Sequence, residues 1–257
     1  MCFSYAINFS AQSLQTKLQL GDASQFDIPL PWETTPNQSL VSPGFFLSGF
    51  NHPQLPVITA SQSESTPTYQ LRAMQWGIVP HWCKSAEQAQ ELSVYGLNAR
   101  AETLDQKPLF RDAWKAQPCL VPVSGFFEWQ TIGKKKQPHY IYATDLQPLL
   151  FAGIYAAWTD TQTWEQQQSY AIITTEANAL MAEIHNLKKR MPVVLNADQA
   201  KDFLLSNREK RTALLRPCGE DVLTAHPVGT WLNQQKVQRN TPQALLPIEK
   251  DFPQTLF

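Results

Sequence analysis

Cys2, directly behind the first methionine, can become something that no interior residue can be. Removal of an initiator Met is permitted when the next side chain is small, and Cys qualifies. The processed chain would begin with an α-amine and a thiol on adjacent carbons, a 1,2-aminothiol. Such a pair condenses with an aldehyde in two steps: the amine forms a Schiff base, and the thiol closes it to a five-membered thiazolidine. Both groups titrate near neutrality, the amine at roughly 7.7–8 and the thiol at about 8.5. The alternative is that Cys2 is an ordinary small buried hydrophobe, and the rest of the chain has to choose between the two.

Three other stretches carry groups of the right kind. In Leu120-Val121-Pro122-Val123-Ser124-Gly125-Phe126-Phe127-Glu128-Trp129 a carboxylate sits in an aromatic strand. By period two, Phe127 and Trp129 face one side while Phe126 and Glu128 face the other. A carboxylate enters such a place with a partner or with a task. Desolvation would raise its pKa toward the range useful for proton transfer, whereas a neighbouring cation such as Arg100 would lower it. His185 follows a helical stretch, where the helix dipole favours the imidazolium form. Asn98, Arg100 and Glu102 alternate with alanines and share one face of an extended chain, which is either a solvated edge or a site.

These groups need elements to hold them. Residues 3–9 read as a short strand and Ser10 to Leu20 as a helix. From Asp27 to Pro67 the chain is rich in Pro, Ser and Gln, yet its apolar runs call for ordered loop. Tyr69 to Val79 reads as a strand stopped by Pro80, leaving Trp76 and Trp82 at a strand end and loop. A tryptophan there is a core lid or, exposed on a groove, a stacking platform for an unpaired base. Pro108 opens a helix with Leu109, Phe110, Ala113 and Trp114 as its buried stripe. Gly133 to Lys136 is a hairpin turn before the strand at 139–142. Strands at 149–155 and 169–175 follow, then a helix at 177–184, helices at 197–205 and 208–215, and a strand at 222–227. The tail from Thr230 is polar, with Leu245, Leu246 and Ile248 expected to pack back.

At 257 residues, 43% hydrophobic and 17% charged, the chain can bury a full core, and one domain is expected. A net charge of −1 makes any nucleic-acid surface a local groove. The cysteines Cys2, Cys83, Cys119 and Cys218 are scattered without a C-x-x-C pair, as in a reduced, cytoplasmic protein. The Cys and His residues lack ligand spacing, so neither a metal nor a cofactor is expected. No apolar run approaches the ~20 residues of a membrane span.

Taken in order, these pieces resemble the SOS-response-associated peptidase family, whose members cap abasic sites in single-stranded DNA. The matching features are Met1-Cys2, Val41-Ser42-Pro43-Gly44, Trp76-Gly77-Ile78-Val79-Pro80 with Trp82, and Asn98-Ala99-Arg100-Ala101-Glu102-Thr103. Further along come Gly125-Phe126-Phe127-Glu128-Trp129, Lys136-Gln137-Pro138, and Ile184-His185 with Arg190-Met191-Pro192-Val193-Val194-Leu195. The resemblance implies a single, monomeric α+β domain, core about 2–228, with twisted antiparallel sheets in a barrel-like core and helices outside. It also implies a partner, single-stranded DNA containing abasic sites. On that pattern Cys2 would be the nucleophile, Asn98 would position it, Glu128 would shuttle protons and His185 would assist opening of the sugar. Arg100 and Arg190 would hold phosphates, Trp82 and Pro43 would wedge against bases, and Trp129 would support the groove.

The chain departs from the family pattern in three places. Phe3 and Ser4 stand where Gly and Arg are common, which removes a phosphate contact and should flatten the salt slope by about 0.7. Leu40 replaces an Asn, and His185 and Arg190 are separated by a longer stretch than the family's. Two rival readings keep the same residues: a cysteine-dependent (auto)peptidase using Cys2 with Glu128 and His185, and a non-covalent single-strand binder with an inert Cys2.

Overall fold

Alternating apolar residues along most of the chain demand sheet, and the segments that supply them are strands. In the computed structural model, residues 2–18, 44–63, 66–234 and 236–248 are described. Pro43, Leu40, Met1 and the last residues of the tail lie outside them. The chain runs β1 (Ser4–Ile7), α1 (Ala11–Leu18), β2 (Gly44–Ser48), β3 (Gln54–Ser63), β4 (Thr66–Trp76), α2 (Ala86–Tyr95) and β5 (Asn98–Arg100). It continues with α3 (Pro108–Ala116), β6 (Pro118–Val123), β7 (Gly125–Ile132), β8 (Lys135–Ala143), β9 (Leu149–Thr159) and β10 (Gln166–Glu176). Last come α4 (Ala179–Ile184), β11 (Arg190–Pro192), β12 (Val194–Leu195), α5 (Ala197–Leu205), α6 (Arg208–Ala213) and β13 (Leu223–Pro227).

Two sheets result. One has the order β13-β8-β7-β1-β2. The other follows β11-β10-β4-β3-β6-β9-β12, and an added β9–β10 pairing closes β10, β4, β3, β6 and β9 into a ring. The barrel-like α+β core expected above is present. It is not purely antiparallel, because β10 runs parallel to both β4 and β5.

The period-two alternation splits the barrel strands between two cores. Ile58, Leu120, Ala152 and Ala171 pack under α1, α3 and α5, through Leu14, Phe110, Trp114 and Phe203 among others. Val57, Val121, Phe151 and Ile172 line the opposite face and meet Cys2, Tyr5, Ile7 and Phe126 from the first sheet. Burying each large apolar side chain contributes about 1.5–3 kcal/mol. A third cluster, Phe46, Phe127, Tyr140, Val228 and Leu232, covers the far side of the first sheet. Phe126 and Phe127 therefore point to opposite faces, as period two requires.

Several expectations shift. The apolar runs at 44–48 and 55–58 belong to β2 and β3 and are not loop. β4 stops at Trp76, because Gly77 takes φ +114, where a strand cannot continue. The stretch from Leu120 to Trp129 is two strands in two sheets. They part at Ser124, whose N–H donates to Ala6 O (2.8 Å) and whose Oγ accepts from Asn8 N (2.6 Å). Gly125 is required there: a Cβ would lie 2.6 Å from Ile141 O and from the Tyr140 ring. In the tail, Leu232 and Ala244 are buried, while Leu246 and Ile248 are exposed. Among the described residues no helix is long and apolar enough to cross a membrane.

Candidate functional site

β1 lies between β2 and β7, with Tyr5 opposite Phe126 and Ala6 opposite Gly125. Continued by two residues, that register brings Phe3 level with Glu128, so the start of the chain reaches the carboxylate. Cys2 is 0% exposed, and its thiol donates to Ser4 O at 3.7 Å. From β5, whose parallel pairing with β10 sets Asn98 beside Ile172, the Asn98 Nδ2 donates to Cys2 O at 2.8 Å. Asn98 Oδ1 is buried and accepts no hydrogen bond among the described residues.

His185 caps the C-terminal end of α4. That helix begins at Ala179, two residues later than its sequence suggested, because the Asn178 side chain accepts from Met181 N as N-cap. The His185 Nδ1 contacts the Arg190 backbone, 2.9 Å from its O and 3.3 Å from its N, and Nε2 faces Glu128. Nε2 and Glu128 Oε2 are 4.0 Å apart. Asn186 pins this turn to β7: its Nδ2 donates to Thr131 O (2.9 Å) and its Oδ1 accepts from Thr131 N (3.1 Å).

Burial governs the electrostatics. It pushes Glu128 up to about 7, while positive charge including Lys188 pulls the other way. Near neutral pH this carboxyl is divided between its two forms and can give or take a proton. Burial lowers the His185 pKa, so desolvation outweighs the helix dipole that favoured the imidazolium, and the backbone carbonyl of Arg190 only partly offsets it. The Cys2 thiol is raised by burial and then by the Glu128 charge, so here it is a thiol and not a thiolate. Tyr5 and Tyr170, joined hydroxyl to hydroxyl at 2.5 Å, belong to the same cluster as Cys2.

The remaining expected site residues have partners of their own or face solvent. β5 ends at Arg100 and the chain turns through a 3-10 segment, Ala101–Thr103, so Glu102 leaves the face shared by Asn98 and Arg100. Arg100 is exposed, whereas Glu128 is buried. Arg190 forks onto Glu102 (2.6 and 3.0 Å) and donates to Thr174 O (2.7 Å), with only 12% of its side chain exposed. Its guanidinium is thus engaged within the protein. Trp82 is half-buried in the turn after Pro80. Trp129 is half-buried on the opposite face from Glu128, and its Nε1 donates to Asn233 Oδ1 at 2.7 Å. Trp129, Lys136, Leu232, Asn233 and Arg239 line an open groove of about 580 Å³. Among the described residues no group of three or more His, Cys, Asp or Glu is placed to hold a metal.

Sequence reasoning missed the positioning residues Asn178, Asn186 and Asn233. Asn178, just ahead of an apolar helical stretch, carried an N-cap signal. Asn186 and Asn233 carried none, since their partners are 55 and 104 residues away.

Comparison with known proteins covers the whole of this frame. Residues 1–235 match the family described as SOS response associated peptidase (SRAP). The abasic site processing protein YoqW of Bacillus subtilis (strain 168) is 32% identical over 179 residues, 68% of this chain and 75% of that protein. The abasic site processing protein HMCES of Gallus gallus is 31% identical over 206 residues, 71% of this chain and 59% of that protein. A crystal structure of a protein from Bacteroides thetaiotaomicron shares the fold with a TM-score of 0.81 at 30% identity, covering 96% of this chain and 99% of that one. The family match takes in every strand from β1 to β13, and with them Cys2, Asn98, Glu128 and His185; this chain belongs to the SOS response associated peptidase family.

Proposed function

We propose that this chain processes abasic sites in DNA, and that Cys2, once Met1 is removed, forms a thiazolidine with the aldehyde of an abasic site in single-stranded DNA. The reading rests on one observation above the others: the Asn98 hydrogen bond to Cys2 O, at a residue whose thiol feels the Glu128 carboxylate, itself 4.0 Å from His185 Nε2. The names of the relatives YoqW and HMCES point to the same lesion.

The chemistry balances with these groups alone. The Cys2 amine adds to the aldehyde carbon, giving a carbinolamine. Protonated Glu128 donates to the carbinolamine hydroxyl, which leaves as water, and the iminium so formed returns its N–H proton to the Glu128 carboxylate, leaving a neutral imine. The thiol sulfur then adds to the imine carbon while its proton passes, by way of Glu128, to the nitrogen. His185 Nε2 takes the proton of the closed sugar's anomeric hydroxyl and delivers it to the ring oxygen as the ring C–O bond breaks, leaving the aldehyde. Asn98 holds the Cys2 carbonyl, and its unpartnered Oδ1 can accept from the reacting amine. With Met1 attached, the free amine is one residue away from the thiol and ring closure is impossible.

The test mixes processed protein with abasic single-stranded DNA and looks for an adduct that survives denaturant, beside Cys2→Ala and an N-terminally extended form. We expect the adduct only with the unmodified processed chain, its N-terminus verified by intact mass. An adduct that persists in Cys2→Ala overturns the mechanism. Binding without an adduct supports a non-covalent binder, and amide cleavage alone supports a peptidase.

A further inference from the structure

We propose that Phe3 and Phe50 form an aromatic platform that stacks an unpaired nucleobase next to the abasic site; this rests on the DNA reading given above. The two rings lie 5.0 Å apart, centroid to centroid, at 31°. Phe3 is half-buried against the Cys2 core, whereas Phe50 is 57% exposed. One ring is thus a prop and the other presents its surface to solvent.

The exposed ring is not on a loose loop. Phe50 is the middle residue of a 3-10 turn, Gly49–Asn51. The Gly49 N–H donates to Phe3 O at 2.9 Å, and His52 N donates back to Gly49 O at 3.0 Å. Beneath the turn, a Cβ on Gly49 would come within 3.1 Å of Trp76 and of Leu97, so the backbone sits flat on the core. A large apolar surface held rigid and left open loses little entropy when a flat partner covers it.

Its place identifies that partner. Phe3 follows Cys2 directly, and Leu97 under the turn precedes Asn98, which holds the Cys2 carbonyl. On the same strand, two residues beyond Asn98, Arg100 offers an exposed cation to a backbone phosphate. A strand whose aldehyde lies at Cys2 brings its next nucleotide within reach of these rings. Every base has a face that stacks on an aromatic ring, so the platform favours a base over a gap without selecting its identity.

The experiment measures equilibrium binding of the processed full chain to two single-stranded oligonucleotides. Each carries a stable abasic analogue without an aldehyde; in one the analogue is flanked by adenines, in the other by base-less spacers. We expect the adenine-flanked strand to bind about 5- to 150-fold more tightly. Phe50→Ala should collapse that ratio toward one and Phe50→Trp should retain it. The dependence of affinity on salt should be the same in Phe50→Ala, since no phosphate contact is lost. A ratio that survives Phe50→Ala, or equal weakening toward both strands, overturns the platform. Because the analogue cannot react, failure of the cross-linking assay with true abasic DNA would sink the covalent reading while the binding ratio still judges the platform.

Discussion

Glu128 carries its proton to unusually high pH for a carboxylic acid, and this has a thermodynamic signature. Its pKa in the fold is about 7, against an ordinary value of 4.5, because burial disfavours the anion. The sign follows: its stabilising contribution is full below pH 4.5 and is lost as pH rises through about 7. Glu128→Gln should therefore lose less stability than the parent between pH 4.5 and 8, by about 3 kcal/mol, in urea unfolding at the two pH values. The same variant should form the adduct about 10²- to 10⁴-fold more slowly, as expected for a lost proton carrier. Arg190→Lys keeps the charge but cannot fork onto Glu102 and reach Thr174 O together. Because Glu102 is half-exposed, the expected cost is only about 1 kcal/mol, read as a shift in the urea midpoint. The placement of Glu128 was legible in the sequence, since strand period alone set it on the Phe126 side. The Arg190 fork was not: Glu102 is 88 residues distant, and no local pattern records such a pair.

Among the elements, boundaries shifted where backbone geometry overrode hydrophobic pattern. Trp76-Gly77-Ile78-Val79 is apolar enough to read as continuing strand, yet φ +114 at Gly77 turns the chain, and only glycine accepts that angle comfortably. A Cβ there would lie 2.7 Å from His52 Nδ1 and from Ser93 O. Gly77→Ala should accordingly lower stability by about 2–3 kcal/mol in thermal unfolding. Helices α3 and α5 were legible for the converse reason: Pro108 opens α3, and the Asn196–Gln199 capping box opens α5. The division of β6 from β7 had only a weak signal, Ser124-Gly125, and it goes with a close approach of Tyr140 and Ile141 from β8, the partner strand in the same hairpin as β7.

For the molecule as a whole, the family resemblance implied a barrel-like core, but nothing in the strand list gave its closure. The ring shuts through β10, which pairs antiparallel with β9 and parallel with β4, a long-range choice no segment announces. Residues 230–234 and 236–248 also belong to the fold: Leu232 and Ala244 complete the third core, and Asn240 Oδ1 accepts from Phe45 N and Phe46 N on β2. Truncation after Gly229 should uncover Phe46 and Phe127, detectable as increased binding of a hydrophobic dye. The position of β1 has a further consequence. Its two neighbours come from residues 44–48 and 125–132, so β1 has both of them only once about half of this sequence has been made. Until then Cys2, which is buried in the finished fold, lacks the strand that carries Glu128. The candidate site is therefore completed only after β7 has been made, and the start of the chain is without its carboxylate until then.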